Sequence, residues 1–346
     1  MNFSSPHALQ AFWNIAAAPV QASALELALS HNLFDHLQTE KSVDEIADVL
    51  DMKTGPVSVW FDLLWSMSLL FRDEPEQTRP EARKYACTDL ARRYLVSSSP
   101  EDCRMALNYR LRVLRHAGTQ FEDFLRFGRS DRIMQGGEAT QTNWATAAEQ
   151  QISQEQRAVS VPSILKRMQL ASSLPAKGRF LDLGGGPGHI GIAFARHLPQ
   201  WTGTVCDLPA IAAVAKTTIA NAGLADRISV QSADLEVDEI GSGYDLIWCS
   251  CVLHFLRDPR ATLQKMFAAL NSNGRLYIAH AEVPRDAGVA SRVLPFYASM
   301  MLRGRFIPAQ DQMRRLLADA GFTQIQSLGE IAFPMTPVWL YKGTKP

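Results

Sequence analysis

The run Phe180-Leu-Asp-Leu-Gly-Gly-Gly-Pro-Gly-His189 constrains the fold more than any other stretch of the chain. It reads as an apolar strand ending in an acid, then a glycine turn, then a helix over Ile190 to Leu198. A strand feeding a helix through glycines is the repeating unit of an open α/β sheet, in which ligands bind outside the carboxyl ends of the strands. Glycine is needed where φ is positive or where a ligand approaches the main chain closely, because a Cβ would prevent both. The turn alone does not choose the ligand. Gly186-Pro-Gly-His-Ile-Gly191 satisfies G-x-G-x-x-G, so a dinucleotide site and an oxidoreductase stand as one reading.

The acids further along separate the readings. A second apolar stretch ends at Thr204-Val-Cys-Asp207-Leu-Pro, placed about 20 residues past the turn, where a carboxylate accepts from two ribose hydroxyls. Arg227-Ile-Ser-Val-Gln-Ser-Ala-Asp234-Leu is a third strand-like run closed by an acid, and Tyr244-Asp-Leu-Ile-Trp-Cys-Ser250 follows it. Asp182, Asp207 and Asp234 at three successive strand ends would surround a cationic, adenosine-bearing ligand. S-adenosylmethionine (SAM), with its sulfonium and amino groups, fits that ring of acids better than a pyrophosphate does.

In order along the chain stand D-L-G-G-G-P-G, C-D-L-P, A-D-L, Val252-Leu-His254, Asn273-Gly-Arg-Leu-Tyr-Ile278 and Ala320-Gly-Phe322. With this set, residues 170 to 346 resemble a class I SAM-dependent methyltransferase. More narrowly, the chain is similar to the dimeric small-molecule O-methyltransferases of the plant caffeate type and of bacterial antibiotic tailoring. The resemblance implies an α/β, Rossmann-like methyltransferase domain with a mainly helical, winged-helix-like dimerisation domain before it. The expected boundaries are 1–98 for dimerisation and 99–346 for a helical substrate-binding section plus the SAM-binding domain. It places Gly184, Gly186 and Gly188 beside the methionine part of SAM with Asp182 nearby, Asp207 on the ribose, Leu208 on the adenine face, and Asp234 with Leu235 on the adenine edge. Ser250 stands where the family often has a lysine near the cofactor.

Composition and charge agree with an enzyme of small molecules. Thirty-five basic and thirty-five acidic residues balance, so no net field draws the chain to nucleic acid or an anionic membrane. No uninterrupted apolar stretch reaches membrane-spanning length, and the first residues lack a basic region followed by an apolar run, so the expected location is cytoplasmic. The cysteines are five, an odd number without a C-x-x-C pair, which predicts neither a disulfide framework nor a zinc site.

The first hundred residues carry helical patterns over Ala8 to Ala18 and Gln21 to His31. Ser42 with Glu45 three residues later signals a capping box, and a helix over Val57 to Ser66 is expected after a Lys-Thr-Gly-Pro turn. Helix, turn, helix and wing is also the order of a DNA-binding regulator, here one that would sense SAM. The helix in the reading position contains no lysine or arginine to donate to phosphates or base edges. An apolar helix suits homodimerisation, the use the resembled family makes of this element. Between residues 99 and 170 lies a helical section with many aromatics, among which Trp144 is the candidate for lining a pocket.

His254 would carry the chemistry. The resemblance places it as general base at the mouth of the fourth strand. Methyl transfer is an in-line displacement for which a protein must align the acceptor and remove its proton. A neutral imidazole, with its ordinary pKa of about 6.5, can accept that proton as a phenol attacks. Two family carboxylates are missing: Phe255 follows the histidine where an Asp is usual, and Phe306 sits near the second position. Glu282 is then expected to hold the imidazole, His280 to be structural, and Asp258-Pro259 to cap a helix. Phe296, Tyr297, Met300 and Met301 on the 295–302 helix, together with Phe306, should line an apolar, flat-walled acceptor pocket. The expected substrate is an aromatic or heteroaromatic hydroxyl of secondary metabolism, with no metal. The alternative is a nitrogen or carbon acceptor methylated by proximity without a strong base.

Overall fold

A computed structural model describes residues 7–73, 83–128, 141–168 and 174–346. Met1 to Pro6 lie outside the described residues. The chain divides into two compact units, Met1–Val113 and Leu114–Pro346. The division falls within the helix Arg104–Thr119, beyond the expected boundary at 98, because Leu107 and Leu111 of that helix pack on the core of the first unit.

In the first unit the two helical patterns form one helix, Gln10–Ser30, which runs through Pro19. Proline costs that helix one hydrogen bond but does not end it here. Ser42 caps the next helix, Val43–Leu50, through the full capping box with Glu45. The following helix begins earlier than expected and spans Thr54–Ser66, so Gly55 and Pro56 lie in its first turn. The amide that proline lacks would have had no intrahelical partner there. Strands β1 (Lys41–Ser42), β2 (Leu70–Arg72) and β3 (Lys84–Cys87) make a small antiparallel sheet in the order β1-β3-β2. Val57, Phe61 and Leu64 of the supposed reading helix are buried in this unit's core, and Asp62 on the same helix pairs with Arg72 and accepts from the Tyr85 hydroxyl.

The second unit is built on seven strands: β4 (Gly178–Leu183), β5 (Trp201–Asp207), β6 (Ile228–Ser232), β7 (Tyr244–Ser250), β8 (Leu270–His280), β9 (Thr323–Ile331) and β10 (Val338–Thr344). Their order is β6-β5-β4-β7-β8-β10-β9. The first five in that order are parallel, and β10 runs antiparallel between β8 and β9. The chain moves outward from β4 to β6 and then crosses back to β7 on the other side of β4. That reversal opens a crevice at the carboxyl ends of β4 and β7, the expected place for a ligand.

Phe180, Leu181, Leu183, Leu246, Ile247, Trp248 and Cys249 are all buried, the near-continuous apolar runs that central parallel strands need when both faces are covered. Phe180, Phe194 and Trp248 stack edge to face at 5.8 and 6.0 Å, which ties the helix His189–His197 to the sheet. Each such side chain contributes about 1.5–3 kcal/mol on burial, so the strand ends that carry the site stand on a well-packed core.

Candidate active site

At the carboxyl end of β4 the main chain turns sharply. Gly184, Gly186 and Gly188 take φ of +67°, +61° and +86°, whereas Gly185 does not need the left-handed region. At Gly184 a Cβ would also lie 2.3 Å from Cγ2 of Val252, two residues before His254, so the turn and the histidine segment touch. Asp182 is almost fully buried and accepts from the Gly191 amide at 2.9 Å, joining the strand to the first turn of the following helix. Burial pushes its carboxyl up to about 7 against the pull of that amide. Asp207 at the end of β5 accepts from the amides of Gly186 and Leu208, both at 2.8 Å. One bond to each carboxylate oxygen leaves lone pairs on both, enough to accept two ribose hydroxyls.

Asp234 lies half-buried after β6 and accepts from the Glu236 amide. Leu235 packs into the core, and Leu208 packs against the cluster of Ala148, Ile211 and Val214. Ser250 at the end of β7 accepts from the Trp248 indole at 3.1 Å. Two residues unforeseen in the sequence join this end of the site. Gln156 donates to the Gly185 carbonyl and accepts from the His189 amide, and Ser153 lies 2.8 Å from the His189 ring. Both come from the helical run 141–168, which widens to π turns at Ala148–Ile152 and Gln156–Ser160. Such widened turns re-aim side chains and recur at functional sites.

The side chains beyond the end of β7 are largely aromatic. His254 occupies the short turn Leu253–Phe255 beyond β7 and is buried. Asp258 caps the next helix through the amides of Arg260 and Ala261, as expected. The edge of Tyr297 approaches the His254 ring with centroids 5.9 Å apart, and Trp144 meets Phe255 edge to face at 5.1 Å. Phe306 lies 6.2 Å from the ring of His280. Phe296 and Met300 are partly buried against the core of this unit, whereas Met301 is exposed and no described contact brings it to the group.

Glu282 does not hold the imidazole. One of its oxygens accepts from the Tyr341 hydroxyl at 2.8 Å and the other from the Asp311 amide at 3.3 Å. Strand β8 ends at His280, and the chain beyond it turns this carboxylate toward β10. Burial raises Glu282 to about 7. The side chain that reaches His254 is His280: its Nε2 lies 3.3 Å from Nδ1 of His254, and its own Nδ1 lies 2.7 Å from the Ala281 carbonyl. Both rings stay neutral at pH 7, because burial lowers His280 to about 4 and holds His254 well below the usual imidazole value, with His280 and Arg305 adding to the effect. The signal for this pairing was strand adjacency, since Ser250 on β7 pairs with Ala279 on β8 and brings the two strand exits side by side. Among the described residues no group of three or more His, Cys, Asp or Glu side chains is placed to hold a metal ion.

Residues 181–276 match the family described as a methyltransferase domain. The fold is that of human N-acetylserotonin methyltransferase, whose structure was solved in complex with SAM: the TM-score is 0.80 over 100% of this chain and 99% of that one, at 20% identity. In fold the chain is similar to this methyltransferase, and the family match lies within its second unit. Among relatives of this chain, the 3-hydroxy-5-methyl-1-naphthoate 3-O-methyltransferase of Streptomyces sahachiroi is 38% identical over 36% of this chain and 37% of its own. The L-tyrosine C(3)-methyltransferase of Streptomyces lavendulae is 30% identical over 50% of this chain and 48% of its own. The chain thus spans about half or less of the length of these two curated relatives. Among its described residues no helix is long and apolar enough to cross a membrane.

Proposed function

We propose that this protein is a methyltransferase that moves a methyl group from SAM to a hydroxyl of an aromatic or heteroaromatic small molecule, with His254 as general base. SAM, when bound, supplies a methyl carbon on a sulfonium leaving group. The glycine turn and Asp207 would hold it: three positive φ values open the main chain, and Asp207 keeps lone pairs for the ribose. The observation that carries the reading is His254, a buried neutral imidazole set among Tyr297, Phe255 and Trp144 and linked through Val252 to the glycine turn. The aromatic rings orient a planar acceptor and keep water from the base, and His254 removes the acceptor's proton. The naphthoate O-methyltransferase named above supports the acceptor class.

The test is methyl transfer to a panel of aromatic hydroxy acids that includes 3-hydroxy-5-methyl-1-naphthoate, read as release of S-adenosylhomocysteine. His254→Ala should lower kcat by about 10²–10⁴-fold, the contribution of a positioned base, with SAM affinity within about threefold. Near-normal turnover would remove His254 from the mechanism. A second reading, methylation at carbon or nitrogen by proximity, is favoured by the absence of any carboxylate hydrogen-bonded to His254 among the described residues and by the kinship with a tyrosine C-methyltransferase. Its mark is a His254→Ala variant that keeps full turnover.

The proposal extends to a homodimer formed by the first unit. Phe12, Trp13, Ile15 and Val20 of the helix Gln10–Ser30 are all exposed, large apolar side chains that a second copy would cover. Sedimentation should find a dimer, and the double variant Phe12→Asp/Ile15→Asp should shift it to monomer.

A further inference from the structure

We infer that His280 is the positioning residue for His254, a neutral imidazole that accepts the Nδ1–H of His254 and so fixes the tautomer whose Nε2 takes the acceptor's proton. The inference rests on the reading of His254 as general base. The Ala281 oxygen, 2.7 Å from Nδ1 of His280, has no proton to give, so that nitrogen must be the N–H. A neutral imidazole carries one N–H, which makes Nε2 of His280 an acceptor. The nitrogen 3.3 Å away is Nδ1 of His254, and it must donate. Nε2 of His254 is left with its lone pair free.

Three independent features give the arrangement its direction. First, the carbonyl belongs to the main chain and cannot change protonation state, so the proton on Nδ1 of His280 is fixed, and with His280 neutral the direction of the second bond follows. Second, the two rings leave adjacent strands in fixed register, Ser250 beside Ala279, and the Cys251 amide donates to the Ala279 carbonyl at 2.9 Å. Third, the groups facing the pair are Tyr297 from the helix Leu294–Leu302, Phe255, Phe306 and the guanidinium of Arg305 from the segment beyond that helix. Among the described residues no carboxylate is hydrogen-bonded to either ring, and Glu282 is engaged by Tyr341 and Asp311.

The proton step balances within this pair. The acceptor O–H bond breaks as an N–H bond forms at Nε2 of His254, and the imidazolium keeps its second proton on Nδ1, shared toward Nε2 of His280. The positive charge remains on His254 until Nε2 loses its proton to solvent. A neutral histidine in this position orients the base without strengthening it, whereas a carboxylate would do both.

The tautomer can be read without turnover. In ¹⁵N-histidine-labelled protein, His254 should show a protonated Nδ1 and an unprotonated Nε2; the opposite tautomer overturns the inference whatever His254→Ala does to activity. The second arm uses the best acceptor from the panel above and the pH profile of kcat/KM. His280→Leu should lower kcat about 10–100-fold, part of what a positioned base contributes, with SAM affinity within about threefold. His280→Gln, which keeps an acceptor atom, should restore turnover to within about fivefold. His280→Glu should keep turnover and move the acid limb of the profile upward by about one pH unit or more, as a carboxylate facing Nδ1–H stabilises the imidazolium. An acid limb that stays in place in His280→Glu, or an unchanged kcat in His280→Leu, overturns the assignment. Where His280→Leu fails to fold, the Glu variant and the tautomer of the unaltered enzyme still decide. Full activity in His254→Ala would instead sink the base itself.

Discussion

The two ends of the crevice are built from different materials. At the ends of β4 and β5, main-chain amides of Gly186, Leu208 and Gly191 meet the carboxylates of Asp207 and Asp182, and the geometry is set by glycine φ angles. At the ends of β7 and β8, two imidazoles and a group of aromatic rings meet through side chains alone. The first kind of site binds a constant ligand and tolerates little change, because its parts are backbone. The second can be respecified residue by residue on an unchanged sheet, which is how one fold serves many acceptors.

The contrast is sharpest at Gly184. An alanine there must hold φ near +67° with its Cβ against Val252, so Gly184→Ala should weaken SAM binding roughly 100-fold by calorimetry, the αL penalty and the clash acting together. Adding Val252→Ala should recover part of the loss by removing the clash and leaving the backbone penalty. Binding within threefold of the unaltered protein would show that the positive φ at Gly184 does not matter to SAM binding.

A smaller effect is expected at Glu282, the acid on the acceptor side that serves the fold. Its carboxyl rises from 4.5 to about 7 on folding, so the stability it contributes is full below about pH 4.5 and is lost as pH rises through about 7. Glu282→Gln should therefore lose roughly 2 kcal/mol less than the unaltered enzyme between about pH 5 and pH 8 in denaturant titrations. Asp182 shifts in the same direction, from 3.8 to about 7, and keeps part of the slope in the variant. The same variant should turn over within about threefold of normal. A fall as deep as that of His254→Ala would return Glu282 to the base.

Smallest is the contribution of Trp144. Its edge contact with Phe255 belongs to a class of aromatic pair worth about 0.5–1.5 kcal/mol, so Trp144→Ala should raise the KM for the acceptor about 2–10-fold. The KM for SAM should move less. The reverse pattern would place Trp144 with the cofactor end, through its packing beside Leu208 and Ile211.

Much of this was legible in the sequence. Phe180 to His189 announced strand, turn and helix, because φ sign and burial are local demands that glycine and apolar runs satisfy visibly. The three glycines singled out there are those with positive φ. Ser42 with Glu45 and Asp258 with Pro259 marked helix starts for the same reason. The helix through Pro19 and the early start at Thr54 were missed, since whether a proline ends a helix depends on which amides already lack partners.

His280 shows the other limit. The family resemblance favoured Glu282 as the partner of His254, because it matches the family's post-strand glutamate and a carboxylate is the commoner support for a base. Its side chain is turned to Tyr341 by the exit of the chain from β8, while the parallel register of β7 and β8 sets two histidines 26 positions apart at 3.3 Å. By itself the sequence determined the open sheet, the glycine turn and the acids at the strand ends, because each is a local requirement of backbone conformation and burial. Only the tertiary structure decided what stands beside His254, since a side-chain partner is chosen by strand order and register, which bring together residues that no local spacing connects.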